Sequence, residues 1–176
     1  MTLHICSLKV ETAQAVPVLA SDYYLLRFPY TVSDESWDPH NMHRPTQPGG
    51  AVSTFPDARS GLIWPTVSGW GCLTAMVYWD AGSSSEYRAR FVRDPLSLTT
   101  GYDSTATTDD APTPGGQYRH YSHAMFVHPN TPIGLMVRHA ASTPLAVTLA
   151  ELKLAIEDNV TAVPPPPPLL PGKTFP

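Results

Sequence analysis

Apolar residues in this chain come in short alternating runs, with almost no helical spacing. The cleanest case is 85–93, where Tyr87, Ala89 and Phe91 alternate with Glu86, Arg88 and Arg90, the period-two pattern of a strand with one buried face. Runs rich in β-branched and aromatic residues recur at 3–10, 23–30, 61–65, 70–79, 86–93, 119–127, 132–139 and 144–157, divided by Pro, Gly, Asn, Asp and Ser. This spacing predicts an all-β sandwich or barrel of about eight strands. Segment 145–157 fits a helical stripe (Leu145, Leu149, Leu152, Ile156) and also a strand (Leu152, Leu154, Ile156). Its all-β surroundings favour two strands with a kink near Leu149–Ala150.

The run 70–79, WGCLTAMVYW, is apolar on both of its faces. Trp70, Cys72, Thr74, Met76 and Tyr78 share one face, and Leu73, Ala75, Val77 and Trp79 the other. A sheet packed on a single core shows apolar residues on one side only. The second face therefore meets either a neighbouring subunit or cover within the monomer, from the other sheet and the long loop 33–60. Loops 33–60 and 94–118 both exceed hairpin length, which marks loops that are functional or packed against partners. Five consecutive prolines, Pro164–Pro168, make the last residues a stiff polyproline II arm reaching about 40 Å. The organisation expected is an N-terminal strand or arm at 1–20, a β-domain at 21–158 and an extended proline-rich tail at 159–176.

Composition narrows the function classes. A chain of 176 residues can bury a core without covalent staples. Its charged fraction is 15%, against the usual quarter, which suits a surface committed to packing. The net charge of −4 argues against nucleic acid as a partner, because phosphate binding needs clustered Lys and Arg. Only 88–93, RARFVR, is locally basic, and a solvated outer strand face accounts for it. Two cysteines, Cys6 and Cys72, do not make a disulfide framework. No run is long enough for a secretory signal or a membrane span, so synthesis in a cytoplasm is expected, with no membrane partner.

Candidate chemistry is sparse. His40 and His43, near Asp38, have metal-ligand spacing, as do His120 and His123; on a strand the latter two point to opposite faces. Asp103, Asp109 and Asp110 offer oxygen ligands without the order of a dedicated calcium loop. There is no nucleophile elbow, P-loop or dinucleotide fingerprint, and Cys6 beside His4 is expected simply to pack. No catalytic residue, metal or cofactor is assigned. The remaining signal is aromatic: Trp37, Phe55, Tyr102, Tyr118 and Tyr121 lie in or beside the loops, where such rings stack on sugars, dock on protein or pin their own loop.

The stretch Trp37, Asp38, Met42, His43, followed by Ile63–Pro65, Ser68, Gly69, Trp70 and Trp79, then Arg88 and Arg90, resembles the jelly-roll domains related to the complement globular head and tumour necrosis factor, in the form found in bacteriophage virion proteins. Segment 126–158 is similar to the closing half of that family, with His128–Pro132 in place of its usual Gly-Asp turn. The resemblance covers about residues 20–158. It implies a jelly roll assembled as a homotrimer, with Trp70, Leu73, Ala75, Val77 and Trp79 as the subunit contact. The function expected is that of a non-enzymatic virion structural protein, made in the host cytoplasm. Within the virion it is a capsid accessory (decoration or minor capsid) protein that binds the major capsid protein and stabilises the head. The short segment before the roll and the stiff terminal arm favour the head, with Trp37, Tyr102, Leu169, Leu170 and Phe175 as docking residues. The alternative is a tail-fibre or tail-tip module that binds a host surface glycan or receptor.

Overall fold

The computed structural model describes residues 2–19, 21–31, 36–113 and 115–158; the proline-rich arm, with Leu169, Leu170 and Phe175, lies outside them. The described residues form nine strands: β1 (Leu3–Val10), β2 (Gln14–Val16), β3 (Tyr24–Leu25), β4 (Gly69–Trp79), β5 (Tyr87–Arg93), β6 (Asp103–Asp110), β7 (Gln117–Val127), β8 (Ile133–His139) and β9 (Leu145–Glu157). Two short 3-10 turns lie at Pro48–Gly50 and Ala58–Gly61. The first sheet runs β1-β9-β4-β7, with β2 also on β9, and the second runs β3-β8-β5-β6. Every pairing is antiparallel. The chain is an all-β sandwich, as the alternating runs predict, with the jelly-roll fold that the resemblance implies.

Strand β4 is central, paired along its length with β7 on one edge and β9 on the other. Its burial alternates strictly, with Leu73, Ala75, Val77 and Trp79 inside. They meet inward residues of the second sheet such as Ala89, Phe91 and Leu135 in one core. Trp79 is completely buried, its ring 4.9 Å from Tyr87 and edge-on to His139 at 5.9 Å. This corrects the assignment of Leu73, Ala75, Val77 and Trp79 to a subunit contact: they fill the monomer's own core. Of the five residues assigned there, Trp70 alone lies outside.

Several other expectations change for identifiable reasons. β1 and β2 belong to the sandwich, with Cys6, Leu8, Val10 and Val16 in the core, so the roll begins at Leu3 rather than at residue 21. Segment 23–30 keeps one backbone bond to β8 past β3, from the Leu26 N–H to the Leu135 carbonyl (3.0 Å), and at Arg27 the Gln14 side chain takes the place of a strand. Its amide nitrogen donates to the Arg27 carbonyl (2.9 Å) and its oxygen accepts from the Arg27 N–H (3.0 Å). Segment 61–65 contributes one bridge, Ile63 to Ile133. Segment 145–157 is one strand with a bulge: Tyr78 faces Leu149 and Trp79 faces Val147, and its other edge changes partner from β1 to β2 at the same place. β6 was hidden in the expected loop 94–118 because its residues are nearly all polar; β5 holds it by backbone pairing and by Arg88–Asp109 (2.9 Å) and Arg93–Asp103 (3.2 Å) ion pairs.

A second apolar cluster lies outside the second sheet. Leu25, Leu62, Trp64, Val92 and Met136 pack there under Leu96 and Leu98. Asp94 folds the covering loop: its buried carboxylate accepts from the N–H groups of Leu98 (2.7 Å), Thr99 (2.7 Å) and Gly101 (2.9 Å) and from the Thr99 hydroxyl (3.2 Å). Burial pushes its pKa up, but those hydrogen bonds outweigh burial and hold the carboxyl below the usual carboxylate range.

Two predictions follow from this packing. A Cβ at Gly69 would overlap the Glu157 carbonyl oxygen and crowd Ile156, and backbone cannot swing away as a side chain can. Gly69→Ala should destabilise by about 1–3 kcal/mol, read as a lower urea midpoint at an unchanged slope. Asp94 gains its proton in the unfolded chain before it does in the folded one. Its stabilisation is therefore complete above about pH 4 and is lost as pH falls through the folded value. Asp94→Asn should flatten that part of the acid-unfolding curve, and an unchanged curve would remove Asp94 as its source.

Candidate functional site

Antiparallel register places directly opposite residues on the same face of a sheet, so the outer surface of the first sheet can be read row by row. Trp70 lies between Phe126 and Glu157, Cys72 between Ala124 and Ala155, Thr74 between Ser122 and Lys153, and Met76 between His120 and Glu151. Tyr78 lies beside Tyr118, their rings 4.5 Å apart. Over the ten outward positions of β4 and β7 there is no Asp, Glu, Lys or Arg. Trp70 is 52% exposed and Tyr118 63%. Charge begins only at β9, where Lys153 and Glu151 pair at 2.8 Å.

Trp37 extends this surface. It exchanges both backbone hydrogen bonds with Ser7 (2.7 and 2.8 Å), adding one residue to the free edge of β1, and is 62% exposed. Tyr102, 44% exposed, stands on the second sheet, where its hydroxyl meets Arg90 at 3.0 Å. The two aromatics chosen as docking residues therefore lie on different sheets and cannot form one site.

The groups with chemical potential are engaged elsewhere. The Asp38 carboxylate accepts from the N–H groups of Met42 (2.9 Å) and His43 (2.7 Å). His43 is buried, stacked on Tyr30 at 4.5 Å, and its Nε2 donates to the Ser60 carbonyl (2.9 Å); burial pulls its pKa down. The His40 ring lies 4.2 Å from that of His4, so the His40/His43 spacing serves loop closure. His120 and His123 sit on opposite faces of β7, as the strand pattern predicts. Asp103 and Asp109 are held by arginines of β5, and Asp110 accepts from the Tyr121 hydroxyl at 2.8 Å. Among the described residues no three His, Cys, Asp or Glu side chains gather as a metal site. Cys6 is wholly buried, and burial followed by the Asp38 charge pushes its thiol far up, away from the nucleophilic thiolate.

Phe55 packs partly buried against the core and Tyr121 is buried, so both pin structure. One group has no signal in the sequence: Tyr23 beneath Arg90, with the guanidinium 3.5 Å from the ring centroid. Tyr23 and Arg90 are far apart in the chain, and only the β3-β8-β5 order brings them together.

No protein-family model and no curated protein sequence matches the chain. Solved structures do. The chain is similar to murine APRIL, at 9% identity and a TM-score of 0.54, over 89% of this chain and 100% of that one. It is also similar to the globular domain of zebrafish complement 1qA protein, at 9% identity and a TM-score of 0.50, over 87% and 95% of the two chains. At that identity the likeness is one of fold: this chain is a jelly roll of the shape shared by those two proteins.

Proposed function

We propose that the chain is a non-enzymatic structural protein that assembles as a homotrimer through the outer face of its first sheet. We place it in a bacteriophage virion, as an accessory protein of the head bound to the major capsid protein. The observation that carries the assembly is the charge-free surface of β4 and β7, with Trp70, Met76, Tyr78, Tyr118 and Phe126 along it. Contiguous apolar patches above a few hundred Å² are rare on soluble monomers, and Trp and Tyr are favoured anchors of subunit contacts. A structural role is supported by what the reactive groups do: Asp38, His43, Asp94 and Cys6 all serve loop closure or the core. The virion setting rests on the sequence resemblance of 37–43 and 63–79.

The two faces of β4 should separate folding from assembly. Trp70→Lys or Met76→Glu should reduce the mass in solution from three times that of the 19.2 kDa chain to one, with the melting temperature of the monomer kept within about 3 °C. Val77→Lys buries an unpaired charge in the core and should prevent folding altogether. A wild-type chain that stays monomeric at about 100 μM would rule out the assembly. The virion setting has its own test: immuno-labelling of purified particles should decorate heads, and unlabelled particles would refute it without touching the trimer.

A further inference from the structure

We infer that the outer face of the second sheet carries a binding site for a carboxylate-bearing saccharide, centred on Arg90. The register of β5 against β6 supplies the reason. β6 sets Asp109 opposite Arg88 and Asp103 beside Arg93, but it sets Thr107 opposite Arg90. The outer two arginines are therefore neutralised by ion pairs at 2.9 and 3.2 Å, and Arg88 also holds Glu86 at 2.8 Å. Arg90 makes no ion pair among the described residues. Its guanidinium instead lies over the Tyr23 ring, 3.5 Å from the centroid, and donates through Nη1 to the Tyr102 hydroxyl at 3.0 Å.

That geometry holds the cation in place while leaving donors unused. The Arg90 Nε–H is buried without a partner, so the donors left for a ligand are those at the Nη end, held in a fixed direction by the aromatic face, where they can receive a carboxylate. It does so at the wall of an open cleft of about 420 Å³ lined by Ser21, Asp22, Tyr23, Arg90, Pro95, Tyr102 and Met136. A cleft of that size suits one or two sugar rings. The exposed Tyr102 ring offers an apolar surface for a sugar's C–H face. Asp22 and the Ser21 hydroxyl offer acceptors for its hydroxyl groups. Asp22 also disfavours a small, highly charged anion. The ligand that fits has one carboxylate for Arg90 and neutral hydroxyls for the opposite wall.

Nearby charges agree with this reading. Arg138 lies opposite Arg88 on β8 and has no ion-pair partner among the described residues, while Glu86 and Asp109 are both taken by Arg88. Asp22 is thus the acid left facing the cleft. The loop that carries Pro95 and leads into Tyr102 is the one closed by Asp94, so the wall is built before a ligand arrives.

The site is independent of the oligomeric state, since it lies on the sheet opposite the proposed contact. Amide and arginine-side-chain NMR shifts of the wild-type protein should be followed with trigalacturonate and 3′-sialyllactose, with the methyl ester of the first, lactose and inorganic phosphate as controls. At least one acidic sugar should shift residues 21–23, Arg90 and Tyr102 with millimolar affinity, and its neutral counterpart should not. Arg90→Gln should weaken binding by about tenfold or more with the remaining spectrum unchanged. Tyr102→Phe keeps the ring but loses the hydroxyl that positions Arg90; it should weaken binding by a smaller factor, and it serves if Arg90→Gln does not fold. No shift with either acidic sugar at about 20 mM would overturn the proposal. Equal binding of the neutral controls, equal binding of phosphate, or undiminished binding by a folded Arg90→Gln would also overturn it.

Discussion

The structure depends on the double-edged pairing of β4. Held by β7 on one side and β9 on the other over nearly its whole length, it has no freedom to slip. A one-residue shift would send Trp79, Val77, Ala75 and Leu73 outward and Trp70, Cys72 and Tyr78 inward. Glycine enforces the phase. Gly69 and Gly71 occupy inward positions, and a Cβ at either would strike Glu157 and Ile156 or Val127 and Leu154 on the flanking strands. Everything else is referred to this register: which side of β9 shows its charges, which side of β7 shows its histidine at 120, and which apolar surface stays uncovered.

Around that frame the irregular segments are closed by single polar side chains acting as substitutes for backbone. Gln14 pairs with Arg27 as a strand would. Asp94 gathers the amides of 98, 99 and 101, and Asp38 those of 42 and 43. His139 joins the two sheets: its Nδ1 accepts from the Ala141 N–H, which fixes the proton on Nε2, and that proton is given to the Val16 carbonyl. Each case follows from the cost of an unmet buried donor or acceptor. The same residue types, Asp and His in long loops, suggest metal sites when only their spacing is known. Here the loops need them first.

That explains what could be read from the chain and what could not. The β-class and six of the longer strands are visible as period-two runs, and the jelly roll follows from the resemblance carried by 37–43 and 63–79. β6 is invisible, since Asp103–Asp110 has no apolar face and its strand state comes from the arginines and backbone of β5. The double apolar face of β4 is plain in WGCLTAMVYW, but its sign is not, because alternation has phase and no direction. The direction comes from β9, where Leu152, Leu154 and Ile156 point one way and Glu151, Lys153 and Glu157 the other, and that information passes to β4 only once the two are paired in register. Trp70 and Trp79, alike in sequence, thus end on opposite sides, one half exposed and one fully buried.

The two outer surfaces also differ in kind. On the first sheet the residues across β4 and β7 are aromatic, small or hydroxylic, and surfaces of that sort gain from mutual burial. On the second sheet β5 and β8 carry arginines, and β6 answers two of those on β5 and omits the third. A charge without a partner is tolerated only where water or a ligand can reach it, which keeps the Arg90 cleft at the surface. Copies packing through the first sheet would bury the face that lacks charge and leave the second sheet turned to solvent. The sandwich therefore separates an uncharged outer face from a charged one, and the strand register that fixes the core fixes this division as well.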